Sequence, residues 1–437
     1  LRCLVGSEMC IRDSFYTYYF TLLVFLATQN IFAQENCDGN RFSEAIFETV
    51  TVSENIEFGY NSQPTLFNPD AIQTLSLDFY EPEGDNWEQR PLIIWAFGGA
   101  FIIGTRKSPD IVELANRFSK LGYVNASIDY RLSPSLALNG SEENALKAVL
   151  KGVHDMKAAI RFFRKDAATD NLYRINTDQI YIAGVSAGAI TAIHAAYLDK
   201  ESEIPDLLLD EADEVGGIEG LSGNAGYSSE VAGVINLSGA IGELDWLEEN
   251  DLPLVSIHGT ADDTVPYGSE ILTLFGINMM LHGSSTMHER ADEVNMRHAF
   301  LSFNNAGHTP FILGDNTDMY MDSTFNHVRN FMEIQVCEYL ENAGNVGIND
   351  AEEKNAFLAN YPNPFTEKTF IKFAADFSTR NISLNVYDVN GRLCAVNYEI
   401  QDNQIVVNRG DLANGMYFYS ILDENNMIKA SGKMMVK

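Results

Sequence analysis

Between residues 47 and 340, short apolar runs rich in β-branched and aromatic residues alternate with longer stretches of helical spacing. Residues 74–80 (TLSLDFY), 91–97 (PLIIWAF), 124–130 (VNASIDY) and 179–185 (QIYIAGV) read as strands, as do 231–238 (VAGVINLS), 253–258 (PLVSIH) and 298–304 (HAFLSFN). Residues 110–121, 145–166, 187–199 and 268–281 repeat apolar positions three and four apart and are predicted helices. The strand runs are mostly apolar at consecutive positions, which suits strands covered on both faces. Strand–helix alternation over this length predicts an α/β fold with a mainly parallel sheet and helices on both faces. Ligands should then bind beyond the carboxyl ends of the strands.

The pattern changes after Cys337. Residues 341–356 begin with a polar, Gly- and Asn-rich run (ENAGNVGINDAEE) and read as a linker. Short alternating runs follow at 369–373, 382–389, 404–407 and 416–422, with turn signals at Asn390-Gly391 and Ala413-Asn414-Gly415. A small all-β sandwich over residues 357–437 fits them. At the other end, residues 1–14 (LRCLVGSEMCIRDS) resemble a translated sequencing-adaptor sequence and are set aside. Residues 15–33 have the character of a signal peptide. Their densest apolar run, 18–27, is shorter than the roughly 20 residues a membrane-spanning helix needs, and Ala33-Gln34 supplies a small-residue cleavage site. The expected mature protein, from residue 34, is exported and has no stable insertion in a membrane.

Composition narrows the partners. A hydrophobic fraction of 46% leaves ample material for a core, so disorder is not the reading. The net charge of −32 disfavours nucleic acid and anionic membranes as partners, and it favours solubility in salty water. Cys37, Cys337 and Cys394 remain once the first 33 residues are set aside, and no Cys/His spacing suggests a metal. No cofactor is called for. In an oxidising compartment one disulfide and one free thiol are expected, with Cys37 and Cys337 as the candidate pair.

Gly184-Val185-Ser186-Ala187-Gly188 has the G-x-S-x-G form and lies between a strand and an Ala-rich helix, where a nucleophile elbow belongs. A serine is a weak nucleophile without a base. His308, in the loop after the last strand, is the candidate base. Asp262 and Asp263 follow the penultimate strand, and Asp262 is the candidate acid. The Gly-rich turn after 91–97 offers backbone donors at Gly99 and Ala100, which with Ala187 form the candidate oxyanion hole. The other histidines read as structural: His154 within a helix, His258 shaping a turn, His194 and His298 away from Ser186, and His282, His288 and His327 on surface or helix. Met279 and Met280 read as core packing in preference to a pocket wall.

With these residues placed, residues 47–340 resemble the carboxylesterase and lipase branch of the α/β-hydrolase family. The markers are FGGAF, Asp129-Tyr130-Arg131-Leu132, GVSAG, HGTADDTVP and GHTP. The resemblance implies a Ser186–Asp262–His308 triad, a structural role for Tyr130-Arg131, and hydrolysis of small-molecule or polymeric esters through an acyl-enzyme. Phe97 and Ala100 depart from the family's HGGGF pattern, and Val185 stands where several subfamilies carry an acidic residue. Polysaccharide-deacylating, feruloyl and polyester esterases remain open, as do a serine peptidase and an inactive hydrolase-like binding protein. Residues 199–230, where lids sit in this family, are either a cap over the acyl pocket or a solvated insertion. Residues 357–437 resemble the type A sorting domain of the type IX secretion pathway through YPNPF at 361–365, YDVNGR at 387–392 and LANGMY at 412–417. That likeness implies the type IX machinery as a partner and export across both membranes of a Gram-negative bacterium.

Overall fold

The computed structural model describes residues 40–64, 68, 70–209, 215–344, 360–372, 382–388, 392–401, 404–410, 412–422 and 428–437. The predicted adaptor segment and signal peptide lie outside the described residues, as does most of the predicted linker. The chain divides between Glu341 and Asn342 into two compact units.

Continuous apolar runs build the centre of the first unit. Every residue of β3 (Arg90–Ala96), β6 (Gly233–Leu237) and β8 (Leu254–Gly259) is buried, as strands sandwiched between helices require. With β1 (Val50–Ser62), β2 (Ile72–Pro82), β4 (Val124–Ile128), β5 (Ile175–Val185) and β11 (His298–Phe303) they form one sheet in the order β1-β2-β4-β3-β5-β6-β8-β11. The pairs β1/β2 and β2/β4 are antiparallel and the remaining five pairs parallel. The fold is thus α/β with a mainly parallel sheet. β1 escaped the sequence reading because it is a largely exposed edge strand with no apolar run to mark it.

Helices Pro109–Lys120, Glu142–Ala168 and Ala187–Tyr197 agree with the expected ones within a few residues. The second begins earlier than its apolar spacing implied, because Ser141 caps it by accepting a hydrogen bond from Asn144 N–H. Two further helices are Ser284–Glu293 and Thr317–Gly344. The helix expected over 268–281 is not one. That stretch pairs β9 (Ser269–Leu272) antiparallel with β10 (Met279–Gly283), and β7 (Ala240–Ile241) completes a small sheet. Gly276 turns the chain at a φ of 83°, and the apolar residues spaced like a helix face instead line a cavity. His282, read as a surface or helix residue, therefore lies on a strand.

A buried ion pair ties the layers together. Asp155 of the long helix accepts from Arg131 N–H at 2.8 Å and from its guanidinium at 2.9–3.1 Å, and Ser222 Oγ donates to it at 2.6 Å. Arg131 also reaches Ser62 O at 3.1 Å, so one guanidinium joins the end of β1, the loop after β4, the long helix and the segment before β6.

The second unit is two four-stranded antiparallel sheets, β12 (Asn360–Tyr361), β13 (Lys368–Lys372), β17 (Gln404–Asn408) and β16 (Asn397–Gln401) in one, β15 (Leu393–Cys394), β14 (Ser383–Asp388), β18 (Gly415–Leu422) and β19 (Ile428–Val436) in the other. Ile371, Ile405 and Val407 from the first meet Val386, Tyr419 and Ile421 from the second in one apolar core, which makes it a sandwich.

Asp155→Ala would leave the Arg131 guanidinium buried without its carboxylate. We expect a loss of about 3–5 kcal/mol of stability, read as a lower urea midpoint at unchanged slope.

Candidate active site

Four loops that follow parallel strands converge at one edge of the sheet. β3 leads to the glycine loop, β5 to Ser186, β8 to Asp262 and β11 to His308. Parallel strands end their carboxyl termini along the same edge, so residues far apart in sequence meet there.

Ser186 sits at φ 54° and ψ −119°, a conformation that a non-glycine residue adopts at a cost of about 1–3 kcal/mol. Its N–H donates to Leu237 O at the end of β6, 2.9 Å away. The flanking glycines allow the turn. A Cβ on Gly188 would lie 2.1 Å from Ala96 O, and one on Gly184 would lie 2.1 Å from the Gly188 carbonyl. Ser186 Oγ is 2.8 Å from His308 Nε2, and His308 Nδ1 is 2.6 Å from Asp262 Oδ2. A carboxylate can only accept, so Nδ1 carries the proton and Nε2 is left to accept from Ser186. Asp262 Oδ1 accepts from Thr264 and Val265 N–H, each at 2.9 Å. Burial would raise the Asp262 pKa, but hydrogen bonds from His258 and His308 outweigh it and hold the carboxyl well below its ordinary range. Asp263 is exposed and makes only a local contact with Thr264 Oγ1.

His258 is more than a turn residue. Its ring is fully buried, with Nε2 3.1 Å from Asp262 Oδ2 and 3.3 Å from Val265 O, and Nδ1 2.8 Å from Ser284 Oγ. Two acceptors around Nε2 place the proton there. Asn236 Nδ2 donates to Ser284 Oγ at 3.0 Å, which leaves the Ser284 hydroxyl to donate to Nδ1. A closed polar chain from Asn236 through Ser284 and His258 thus supports Asp262 from behind. Position four before the acid was the available signal.

The glycine loop presses on the elbow. Gly99, Ala100 and Phe101 take φ values of 126°, 54° and 60°, and Ile102 and Ile103 N–H fold back on Gly99 O. Tyr130 OH donates to Phe97 O at 2.8 Å, and the two rings stack at 4.5 Å. Tyr130 and Arg131 are both structural here. Ala100 and Ala187 share the wall of one cavity with Ser186, and Gly99 lies with Ser186 on a second. Ala187 opens a helix, so its N–H is among those without an intrahelical acceptor.

The two cavities meet at Ser186. The first, about 230 Å³, runs between the elbow helix and the long helix, with Ile204, Pro205 and Leu208 of the expected lid on its wall. Met279 and Met280, expected in the core, line it too, as does His194 of the elbow helix. Glu219 of the insertion is held to the long helix, where Lys157 and Arg161 pair with it at 2.7 and 2.8 Å. The second, about 420 Å³, is lined by Gly98, Gly99, His308, Ile312 and Leu313 among others.

Residues 77–242 match the BD-FAE family model, and residues 359–437 match that of the secretion system C-terminal sorting domain. The chain joins an α/β-hydrolase domain of the esterase type to a secretion sorting domain. Lipase 1 of Geotrichum candidum is 28% identical to this chain over 125 residues, covering 28% of this chain and 21% of the lipase. Lipase 2 of the same organism is 27% identical over 125 residues, with the same coverage. The chain therefore spans about a fifth of the length of the curated relatives it matches. Among solved structures, the apo form of Thermogutta terrifontis esterase 2 aligns at 19% identity and a TM-score of 0.44, over 67% of this chain and 96% of that one. Its propionate-bound form aligns at 20% identity and 0.45, over 63% and 93%. The sorting domain marks the hydrolase for export, to the cell surface or the medium. Among the described residues no helix is long and apolar enough to cross a membrane.

Of the described cysteines, Cys394 is free and Cys337 is engaged. Cys37 lies outside the described residues.

The two neighbouring carboxylates are separable by experiment. Asp262→Asn should slow labelling of Ser186 by a fluorophosphonate probe by roughly 10³–10⁴, because the imidazole loses its tautomer and its counter-charge. Asp263→Asn should change the labelling rate little.

Proposed function

We propose that the chain is a serine hydrolase of carboxylic esters working through an acyl-enzyme. The observation that carries this reading is the unbroken hydrogen-bonded line from Ser186 Oγ through His308 to Asp262. In this mechanism His308 Nε2 takes the Ser186 proton as Oγ attacks the ester carbonyl carbon. Asp262 steadies the imidazolium, and the N–H groups of Gly99, Ala100 and Ala187 receive the oxyanion. His308 then gives its proton to the departing alcohol, and water releases the acid by the same steps in reverse roles. The alcohol must leave on the His308 side, so the cavity that His308 lines is its groove. The first cavity, which His308 does not line, is then the acyl pocket.

Ser186→Ala should fold normally and lose roughly 10⁶ of kcat on p-nitrophenyl esters, while a fluorophosphonate labels Ser186 in the parent. Labelling of a different serine, or turnover by the Ala variant, would reject the mechanism.

We further infer that the sorting domain addresses the type IX secretion machinery and that the mature protein is released outside both membranes. In that oxidising setting we expect Cys37 to pair with Cys337, closing a loop that the chain-entropy model values at roughly 5–6 kcal/mol before strain. Peptide mapping without reductant should recover the two cysteines in one linked species, and finding both thiols free would refute the pairing.

A further inference from the structure

The groove on the His308 side, about 420 Å³, is walled in part by two tight turns that start from the site's own segments. After Gly99, Ile102 and Ile103 N–H donate back to Gly99 O at 3.0 and 3.1 Å. A Cβ on Gly99 would lie 1.8 Å from Ile103 O, so the turn that carries a candidate oxyanion donor also fixes where Ile103 stands. After His308, Ile312 and Leu313 N–H donate back to Thr309 O at 2.9 and 3.1 Å. Both turns end in large apolar side chains held out in water. Ile103 is 72% exposed and Leu313 64%, and Ile312 and Phe275 are exposed as well. All four line the groove, and among the described residues no lysine or arginine does.

A single apolar side chain on a surface needs no explanation. Four around one opening onto Ser186 do, because a cluster of that kind marks a place where an apolar ligand settles. The polar residues of the wall are engaged locally. Ser108 Oγ donates to Asp110, which is 4% exposed and is further stabilised by the N–H groups of Asp110 and Ile111. Thr264 Oγ1 donates to Asp263 at 3.3 Å. The exposed wall formed by Ile103, Phe275, Ile312 and Leu313 has no side-chain donor or acceptor. A hydroxyl-rich alcohol lying on it would lose water without replacement. An alcohol with a hydrocarbon chain loses nothing of that kind: its one hydroxyl meets Ser186 and His308, and its chain covers the apolar wall.

We propose that this groove is a subsite for apolar primary alcohols, and that an alcohol seated there accepts the acyl group from Ser186 in competition with water. The proposal rests on the acyl-enzyme reading of Ser186 and adds to it an alcohol class and a transfer reaction. The alcohol oxygen bonds to the acyl carbon while His308 Nε2 takes its proton. The bond from that carbon to Ser186 Oγ then breaks, His308 returns the proton to Oγ, and a new ester leaves. This is the acylation step run backwards with a different alcohol, so no oxidant, reductant or further reactant enters.

The test follows turnover of p-nitrophenyl butyrate by the full chain in water, with n-propanol, n-pentanol or glycerol added at one equal concentration. Release of p-nitrophenol reports acylation, and chromatography of the products gives the ratio of new ester to butyrate. Each methylene buried in the groove is worth about fourfold, so n-pentanol should raise that ratio roughly tenfold over n-propanol. Glycerol, with the carbon count of n-propanol and two more hydroxyls, should give less ester than n-propanol. Leu313→Asp should bring n-pentanol down toward n-propanol. Butyrate as the sole product with every alcohol, while p-nitrophenol is released, would overturn the proposal and leave the esterase reading standing. Equal ratios for n-propanol and n-pentanol would overturn it too, as would an n-pentanol advantage undiminished in Leu313→Asp. Absence of p-nitrophenol release would instead overturn the esterase reading. Should the Leu313 variant fail to fold, the parent's own chain-length ratio decides.

Discussion

The site depends on a backbone approach that only hydrogen atoms at Cα permit. Ser186 is held in a strained turn because the backbone around Gly188 lies against Ala96 and Phe97 of the neighbouring strand end, and Gly184 lies against Gly188. That contact fixes two things together. It lifts Ser186 Oγ off the sheet edge, and it brings the glycine loop after β3 alongside the serine, where a Cβ on Gly98 would sit 3.2 Å from Ser186 Cβ. The strain is sustained by ordinary packing: buried strands on both sides, and the Ser186 N–H tied to Leu237 O.

The acid side of the triad is supported differently, by polar saturation. The Asp262 side chain is fully buried and receives two backbone and two imidazole donors, so its charge is solvated by the protein in place of water. His258, Ser284 and Asn236 extend that solvation inward, each with its protons directed by the next group. His308 stands at the boundary between this buried network and the two cavities. In the proposed mechanism it moves the proton between protein and substrate, and its side chain is less buried than those of Asp262 and His258.

The elements around the site share out two further tasks. The buried Arg131–Asp155 pair, placed beside the insertion, holds part of residues 199–230 to the long helix, while Ile204, Pro205 and Leu208 of that insertion line the first cavity. The strongly acidic surface and the sorting domain concern where the protein goes and what it avoids; neither contributes a residue to the triad or to the candidate oxyanion donors.

Much of this was legible in the chain. Buried parallel strands are apolar at every position, so their runs stood out, and the residues after them supplied Ser186, Asp262 and His308 in a recognisable order. Adjacent side chains in a turn diverge, so only one of Asp262 and Asp263 could serve, and the resemblance of HGTADDTVP to the family pattern singled out Asp262. Sequence alone also gave the second unit its alternation and its turns. The sequence reading failed where side chains answered to partners distant in the chain. β1 is an exposed edge strand, visible only once β2 pairs with it. Residues 268–281 carry helical spacing, yet the cavity they line made them a hairpin. His258, His194 and the two methionines took their surroundings from the packing of β8, the elbow helix and β10 against segments far away in sequence. A residue's own neighbours set its backbone preference; which atoms surround its side chain is decided by whatever the fold brings across from elsewhere, and no local pattern records that.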